Sequence, residues 1–266
     1  MGNIERKIEI FLKYLIEGKF YESVIEGLKN TMFIAIGGLI IGLVIGTLIA
    51  TIRVLPKIKI KPKSGKNMPK GGKKIIKRII GVLHYIRSYV IPKLLDSICS
   101  VYVGFFRGTP IVVQLLLAHY VVLPLIGISS QGLYTALVVF GMNSGAYISE
   151  IMRGGILSVD PGQMEGGRSV GMSYGATMIK IVIPQAIKNI IPTLGNEFIA
   201  LVKETSVVSF VAITDLYKAF KDIGTRTYDF IIPYLSMAII YIVIVMIITM
   251  LIKLMERRLR KSDRSR

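Results

Sequence analysis

Two carboxylates lie within a mostly apolar segment in the C-terminal half of the chain. Glu197 and Glu204 both fall inside residues 190–214. Their spacing equals about two turns of an α-helix, so both side chains project from one helix face. A charge near the centre of a bilayer costs roughly 2.5 to 3.5 kcal/mol on insertion scales and usually has a function there. The pair could therefore attract a cation or an amino group along a water-filled path. The structural alternative is pairing with a basic residue, for which Lys203, Arg107 and Arg153 are the candidates.

The chain offers little for catalysis. Its histidines are His84 and His119, and no arrangement of nucleophile, base and orienting carboxylate is recognisable. No metal-ligand spacing and no Gly-x4-Gly-Lys-Ser/Thr loop occurs in the sequence. We therefore expect no catalytic residue, no metal site and no cofactor in this chain. Any ATP and Mg²⁺ would be used by a separate partner ATPase.

The composition indicates a membrane protein. Hydrophobic residues make up 52% of the chain and the mean hydropathy is +0.60, which exclude an ordinary soluble domain. Residues 31–52 and 230–252 carry no charge and are long enough to cross a bilayer. With the less regular apolar segments, we expect an all-α membrane protein of about five transmembrane helices. The predicted spans are 31–52, 94–126, 133–149, 190–214 and 230–252, of which 94–126 is one long, kinked span.

The distribution of lysine and arginine predicts the orientation. Residues 53–93 form a basic insert without Asp or Glu, and the tail 253–266 is also basic. Cytoplasmic loops retain such residues, so both segments are expected inside the cell. An odd number of spans then places an amphipathic N-terminal segment, residues 1–30, outside, and the loop 158–184 inside. The predicted location is a plasma membrane, with the protein as a multi-pass component.

The net charge of +18 could suggest a nucleic-acid partner. Most of the excess, however, lies in the two segments next to predicted spans, where it sets the topology and contacts anionic membrane lipid. No recognisable nucleic-acid-binding module accompanies it. We therefore expect membrane lipid, and no nucleic acid, as a partner.

Small residues mark a packing face in the first predicted span. Gly38, Gly42 and Gly46 recur at every fourth position, so they lie on one side of a helix and let another backbone approach closely. That neighbour could be another span of this chain or a second subunit.

The loop between the third and fourth predicted spans contains a polar stretch, residues 165–184, that is rich in small residues. Its residues match a known cytoplasmic signature, Glu-Ala-Ala, three residues, Gly, nine residues, Ile-x-Leu-Pro. The matching positions are Glu165, Gly171, Ile181 and Pro184. Further matches in the same order are Arg107-Gly108-Thr109-Pro110 with Gln114, Asn143-Ser144-Gly145-Ala146-Tyr147, Arg153-Gly154-Gly155-Ile156, Gly195-Asn196-Glu197-Phe198 and Lys203-Glu204-Thr205-Ser206.

On these motifs, the chain resembles the permease subunit of ATP-binding-cassette importers for polar amino acids, from about Gly27 to the end of the last span. The resemblance implies the type I importer permease fold. It also implies that the loop docks on an ATPase and that polar side chains line an amino-acid path. The coupling residues would be Glu165, Gly166, Gly167, Gly171, Ile181 and Pro184, and the path residues Glu197, Glu204, Gln114 and Asn143.

The same resemblance implies the partners. They are two cassette ATPase subunits, a second permease chain that is either identical or related, and an extracytoplasmic amino-acid-binding protein. The sequence departs from the family at Gly166 and Gly167, which replace paired alanines, and each glycine weakens a helix by roughly 1 kcal/mol. The basic insert 53–93 is also longer than the expected connector.

Two other function classes are alternatives to an ATP-driven importer. A self-contained ion-coupled carrier or channel would use the carboxylates for ions, but the sequence has no visible inverted repeat. A membrane scaffold subunit would give no reason for Glu197 and Glu204. An ATP-driven importer of a polar or charged amino acid is the function that the sequence favours.

Overall fold

The computed structural model describes residues 3–54 and 90–264, and the regular structure in these ranges is helical. This confirms the all-α class. The helices are α1 (Asn3–Ile16), α2 (Phe20–Val54), α3 (Ile91–Gly108), α4 (Ile111–Leu117), α5 (Gly132–Leu157), α6 (Pro161–Ser169), α7 (Tyr174–Thr177), α8 (Ile183–Glu204), α9 (Leu216–Thr227) and α10 (Ile231–Arg264). One π-helical turn, Ala118–Val122, follows α4, and another, Met178–Val182, precedes α8. A 3-10 helix at Thr205–Val211 follows α8. Most of the basic insert, residues 55–89, lies outside the described residues.

Two of the described helices are each long and apolar enough to cross a membrane, namely Phe20–Val54 and Ile231–Arg258. A third span is obtained if the bent pair α3 and α4 is counted as one. Helices α5 and α8 are less apolar, because α5 carries Asn143, Ser144 and Glu150 and α8 carries Glu197 and Glu204. The number of five spans stays a prediction.

The segment predicted as one kinked span over 94–126 is two helices, Ile91–Gly108 and Ile111–Leu125, bent by 107°. Thr109 between them is extended, with φ −123° and ψ 144°. The cause is local, because a proline disfavours the helical conformation of the residue before it, and Pro110 follows directly. The bend is therefore much sharper than the kink expected from the sequence.

Other helix ends also differ from the predicted ones. Helix α2 begins at Phe20, so the N-terminal segment 1–30 is divided at Lys19, whose φ is 55°. Helix α5 continues past residue 149 to Leu157, and α8 begins at Ile183 directly after the π-helical turn, with Pro184 in its first turn. The end of the predicted fourth span is the 3-10 helix, which stops at Ala212 with φ 62°.

Helices α2 and α5 form the centre of the fold through reciprocal glycine contacts. A Cβ on Gly42 would lie 2.8 Å from Ser144 Cβ, and a Cβ on Gly145 would lie 2.8 Å from Ile45 Cγ2. Each glycine therefore receives a side chain of the opposite helix. The glycine face predicted in the first span thus packs against another span of the same chain, which decides between the two neighbours that the sequence allowed.

The N-terminal helix folds back onto the end of the bundle. Phe11 of α1 is buried with Phe20 and Phe220, and the Lys7 ammonium lies 2.8 Å from the Asp229 carboxylate. The hydrogen bond from Lys7 holds the pKa of Asp229 below its usual range. Helix α1 is thereby fixed beside the connection between α9 and α10.

Candidate functional site

The two carboxylates found in the sequence lie on α8. Glu197 is half-buried and Glu204 is exposed at the last turn of that helix. Neither forms an ion pair with another residue of the described ranges. Of their candidate partners, Arg153 binds a different carboxylate and Arg107 lies over an aromatic ring. Within the described chain, the two carboxylates are therefore available to a ligand.

Glu197 approaches α5 at Ser144. The Ser144 hydroxyl is fully buried, lies within reach of the Glu197 carboxylate and makes no hydrogen bond of standard geometry within the described chain. A buried hydroxyl without a partner is costly, by about 1 to 3 kcal/mol. The Glu197 carboxylate is the acceptor within its reach. Ser144 is thus a polar group of the candidate path that the sequence-based list of site residues missed, although its neighbour Asn143 was included.

Gln114 and Asn143, predicted to line the path, are buried and bound to each other. Asn143 Nδ2 lies 3.0 Å from Gln114 Oε1 and 3.1 Å from the carbonyl oxygen of Phe106. Gln114 Nε2 donates to the carbonyl oxygens of Phe106 and Thr109, each at 2.9 Å. These carbonyl groups belong to the break between α3 and α4, where the helical ladder ends. The two amides therefore satisfy the exposed backbone of the break.

A charged cluster connects α2, α3 and α5 near one end of the bundle. Glu150 of α5 accepts hydrogen bonds from Arg53 of α2 and, at 2.7 Å, from Arg153 one turn further on α5. Arg53 also lies 3.8 Å from Asp96 of α3. We did not include this cluster in the sequence-based site. The i,i+3 spacing of Glu150 and Arg153 was the available signal, whereas the contribution of Arg53 required the fold.

The loop predicted to couple with an ATPase contains α6 and α7. Asp160 caps α6 by accepting a hydrogen bond from the backbone N–H of Gly162 at 2.7 Å. Glu165 is exposed on α6, and Gly171 adopts a φ of 88°, which favours glycine. Ile181 lies in the π-helical turn and Pro184 in the first turn of α8. Helix α6 thus presents its acidic side chain to the outside of the molecule.

The two glycines that depart from the family pattern occupy different environments. Gly167 is buried, and a Cβ there would lie 3.0 Å from both Thr177 Oγ1 and Ile181 Cδ1. A Cβ on Gly166 would have no atom within 4 Å. Gly167 therefore allows α6 to lie close to α7 and the π-helical turn, whereas Gly166 has no packing role within the described chain.

Comparison with known proteins identifies the family. A family model described as a binding-protein-dependent transport system inner membrane component matches residues 79–261. The chain belongs to this family. The resemblance proposed from the signature residues is confirmed, and the chain is a membrane transport component rather than an enzyme. The family also implies that the transport system includes a substrate-binding protein and an ATPase.

Individual members of the family are similar over most of their length. The arginine transport system permease protein of Bacillus subtilis (strain 168) is 37% identical over 166 residues, covering 62% of this chain and 76% of that protein. A putative glutamine transport system permease protein of Rickettsia bellii is 35% identical over 181 residues, covering 68% and 83%.

Solved structures agree with the fold of these permeases. A chain of an amino acid ABC transporter crystallised with histidines superposes with a TM-score of 0.72 at 33% identity, over 92% of this chain and 98% of that one. The MetNI methionine ABC transporter in an inward-facing form superposes with a TM-score of 0.58 at 19% identity, over 90% and 95%. The latter likeness supports the fold alone.

Proposed function

We propose that this chain is the membrane-spanning subunit of an ATP-driven importer that carries a polar or charged amino acid. The observation that carries the proposal is the position of Glu197. Its carboxylate lies within reach of the buried Ser144 hydroxyl, and no residue of the described chain forms an ion pair with it. An amino group of the substrate would supply both a positive charge and hydrogen-bond donors. The amino-acid transport named for the relatives is consistent with this chemistry.

Energy would enter through the loop that contains α6. Glu165 and the turns around it are exposed on a capped helix, which suits a surface that another protein grips. In the proposed mechanism, ATP binding closes two ATPase subunits, and α6 transmits this motion to the spans. ATP and Mg²⁺ would bind to those subunits. Hydrolysis would then reset the path.

The assembly would contain a second permease chain, identical or related, because one path is formed between two such chains. A binding protein would deliver the amino acid from the extracytoplasmic side. The basic tail 253–266 and the loop 158–184 would face the cytoplasm, and the N-terminus would face outward.

Transport by a reconstituted complex tests the proposal. The chain is purified with its ATPase and binding protein, placed in proteoliposomes, and screened for uptake of single amino acids, including arginine and glutamine. We expect uptake that requires ATP, and hydrolysis that the loaded binding protein stimulates. Glu197→Gln and Glu204→Gln should reduce uptake while leaving assembly intact, whereas Glu26→Gln, an exposed carboxylate elsewhere, should not.

A second variant tests the coupling of ATP hydrolysis to transport separately from the residues of the amino-acid path. Glu165→Lys should release the ATPase or uncouple hydrolysis from uptake, since it reverses the charge of the exposed α6 side chain. Unchanged assembly and unchanged stimulated hydrolysis in this variant would contradict the coupling role. Uptake by the chain alone, driven by an ion gradient and independent of ATP, would instead support a self-contained carrier.

A further inference from the structure

Two cavities lie side by side where α1 packs on the start of α10. The polar cavity, of about 340 Å³, is lined by Arg6 and Lys7 of α1 and by Asp229 just before α10. The apolar cavity, of about 370 Å³, is lined mostly by apolar side chains of α1, α2, α9 and α10. Phe11 of α1 borders both cavities, so they meet at this ring.

One face of α10 connects the two cavities. Ile232 borders the polar cavity, and Ser236 and Ile240 border the apolar cavity. These residues recur at every fourth position, so they lie along one side of the helix. From Ile232 to Ile240 the helix rises by about 12 Å. Over this distance the lining changes from charged to apolar, as a phospholipid changes from its phosphate to its acyl chains.

The cavities lie at the level where a membrane begins. The apolar span of α10 starts at Ile231, next to the polar cavity. Tyr228 borders the polar cavity and is 93% exposed, and Tyr21 borders the apolar cavity and is 44% exposed. Exposed tyrosines are typical of the boundary between lipid and water. A lipid headgroup and the upper part of its chains therefore have access to the two cavities.

The polar cavity carries one uncompensated positive charge. Lys7 and Asp229 neutralise each other, with 2.8 Å between the ammonium and the carboxylate. The exposed guanidinium of Arg6 forms no ion pair within the described ranges. Glu5 and Glu9, the acidic side chains of α1, lie outside the lining of this cavity. The remaining charge matches the single negative charge of a phosphodiester, and the guanidinium fork matches the geometry of its oxygens.

An apolar stripe on α1 continues the surface of the apolar cavity. Ile4, Ile8, Leu12 and Ile16 are all exposed and recur at every fourth position, so they share one face of the helix. Leu15, which borders the apolar cavity, lies one turn from Leu12 and next to this face. An exposed apolar face beside a charged one is typical of a helix that lies in the membrane surface. Lipid is therefore the neighbour that this side of α1 fits.

We propose that this end of the protein binds an anionic phospholipid, with the phosphate at Arg6 and an acyl chain in the apolar cavity beside Phe11 and Ile239. Both ends of the site define the ligand. A soluble phosphate leaves the apolar cavity empty, and an uncharged lipid leaves the Arg6 guanidinium without a counter-charge. The site depends on the membrane location of the chain and not on the solute that it carries.

Hydrogen exchange in lipid nanodiscs tests the proposal. The complex with its ATPase is placed in nanodiscs of phosphatidylcholine alone, which has no net charge, or of phosphatidylcholine mixed with anionic phosphatidylglycerol of the same acyl chains. Phosphatidylglycerol should slow the exchange of residues 3–17 and 227–233 by about fivefold, the factor expected for one basic residue at anionic lipid. Arg6→Gln should abolish this difference between the two lipids. Equal exchange of the wild type in both lipids would overturn the proposal.

Matched variants distinguish a site from general attraction to an anionic surface. Lys13→Gln removes an exposed positive charge of α1 that does not border the polar cavity, and it should keep the wild-type difference. Ile239→Trp fills the apolar cavity and should remove the difference, whereas Ile242→Trp, at an exposed position outside the cavity, should keep it. A loss in Lys13→Gln as large as that in Arg6→Gln would show general attraction and overturn the site.

Two additions to the phosphatidylcholine nanodiscs distinguish the lipid from other occupants. Glycerol 3-phosphate supplies a phosphate without acyl chains, and it should leave the exchange of residues 3–17 unchanged. Slowing equal to that by phosphatidylglycerol would show a site for soluble anions and contradict the lipid assignment. Slowing by the extracytoplasmic binding protein, without any effect of phosphatidylglycerol, would assign the cavities to a protein partner instead.

Discussion

Arg53 and Glu150 form an ion pair that joins the end of α2 to the last turns of α5. Arg153 donates to the other oxygen of the same carboxylate, so one acidic side chain holds two guanidinium groups. The side chains of Arg53 and Glu150 are only 21% and 19% exposed, which limits screening by solvent. The pair therefore holds α2 against α5, which the glycine contacts at Gly42 and Gly145 also join.

Removing the carboxylate should therefore destabilise the protein. Glu150→Gln leaves Arg153 without its counter-charge and leaves Arg53 with only Asp96, at 3.8 Å. We expect a loss of about 1 to 3 kcal/mol in the free energy of unfolding. Thermal unfolding in detergent measures it, and a double-mutant cycle with Arg53→Gln isolates the pair. The control is the more exposed i,i+4 pair Lys218 and Asp222 on α9, for which the cycle should give less than about 0.5 kcal/mol. Equal coupling energies in the two cycles would contradict the role given to Glu150.

A single methyl group at Gly42 should separate α2 from α5. The new Cβ would lie 2.8 Å from Ser144 Cβ and 3.1 Å from the backbone nitrogen of Gly145, and neither atom can move without its helix. Overpacking of this kind costs about 1 to 3 kcal/mol, measured by thermal unfolding of Gly42→Ala. Gly154→Ala on α5 is the matched control, because its Cβ would meet nothing within 4 Å and should gain up to about 1 kcal/mol.

The two glycines of α6 should respond in opposite ways to alanine. Gly166→Ala fills open space and should raise the helix stability by about 1 kcal/mol. Gly167→Ala would press on Thr177 and Ile181 and should shift α6 away from the π-helical turn. Hydrogen exchange of residues 161–184 would show slower exchange in the first variant and faster exchange in the second. Identical effects of the two substitutions would refute the packing difference.

Gln114 should act on the break between α3 and α4. Gln114→Met keeps the approximate volume but removes the donor to the carbonyl groups of Phe106 and Thr109. The Phe106 carbonyl keeps the Asn143 amide as a donor, whereas the Thr109 carbonyl loses the Gln114 amide, at a cost of about 1 to 3 kcal/mol. Faster hydrogen exchange at residues 105–115 is the expected result. Gln163→Met on the exposed surface of α6 is the control, and it should leave that region unchanged.

The sequence was sufficient for the class, the family and the common helix of Glu197 and Glu204, because hydropathy, motif spacing and helical periodicity are local properties. It also predicted a kink within the span 94–126. The 107° bend was beyond reach, because a proline predicts that the helix is interrupted but not the angle between its two parts. The same limit applied to Gln114 and Asn143, which the family resemblance assigned to the path, although in the fold they bind each other and backbone carbonyl groups.

Gly166 and Gly167 illustrate a related limit. Both positions are glycine, so helix propensity gives them the same free-energy cost in a helix. Only the neighbours Thr177 and Ile181 distinguish the glycine that the packing requires from the one that it tolerates.

The glycine contacts between α2 and α5 also determine where the protein can move. Sliding either helix by one residue would bring a side chain against a side chain at each close approach, so the packed pair has no intermediate register. The two helices therefore behave as one rigid body during transport. We expect bending outside this pair, at places where regular helix geometry is interrupted, namely at Thr109 and Pro110 and at the π-helical turn Met178–Val182.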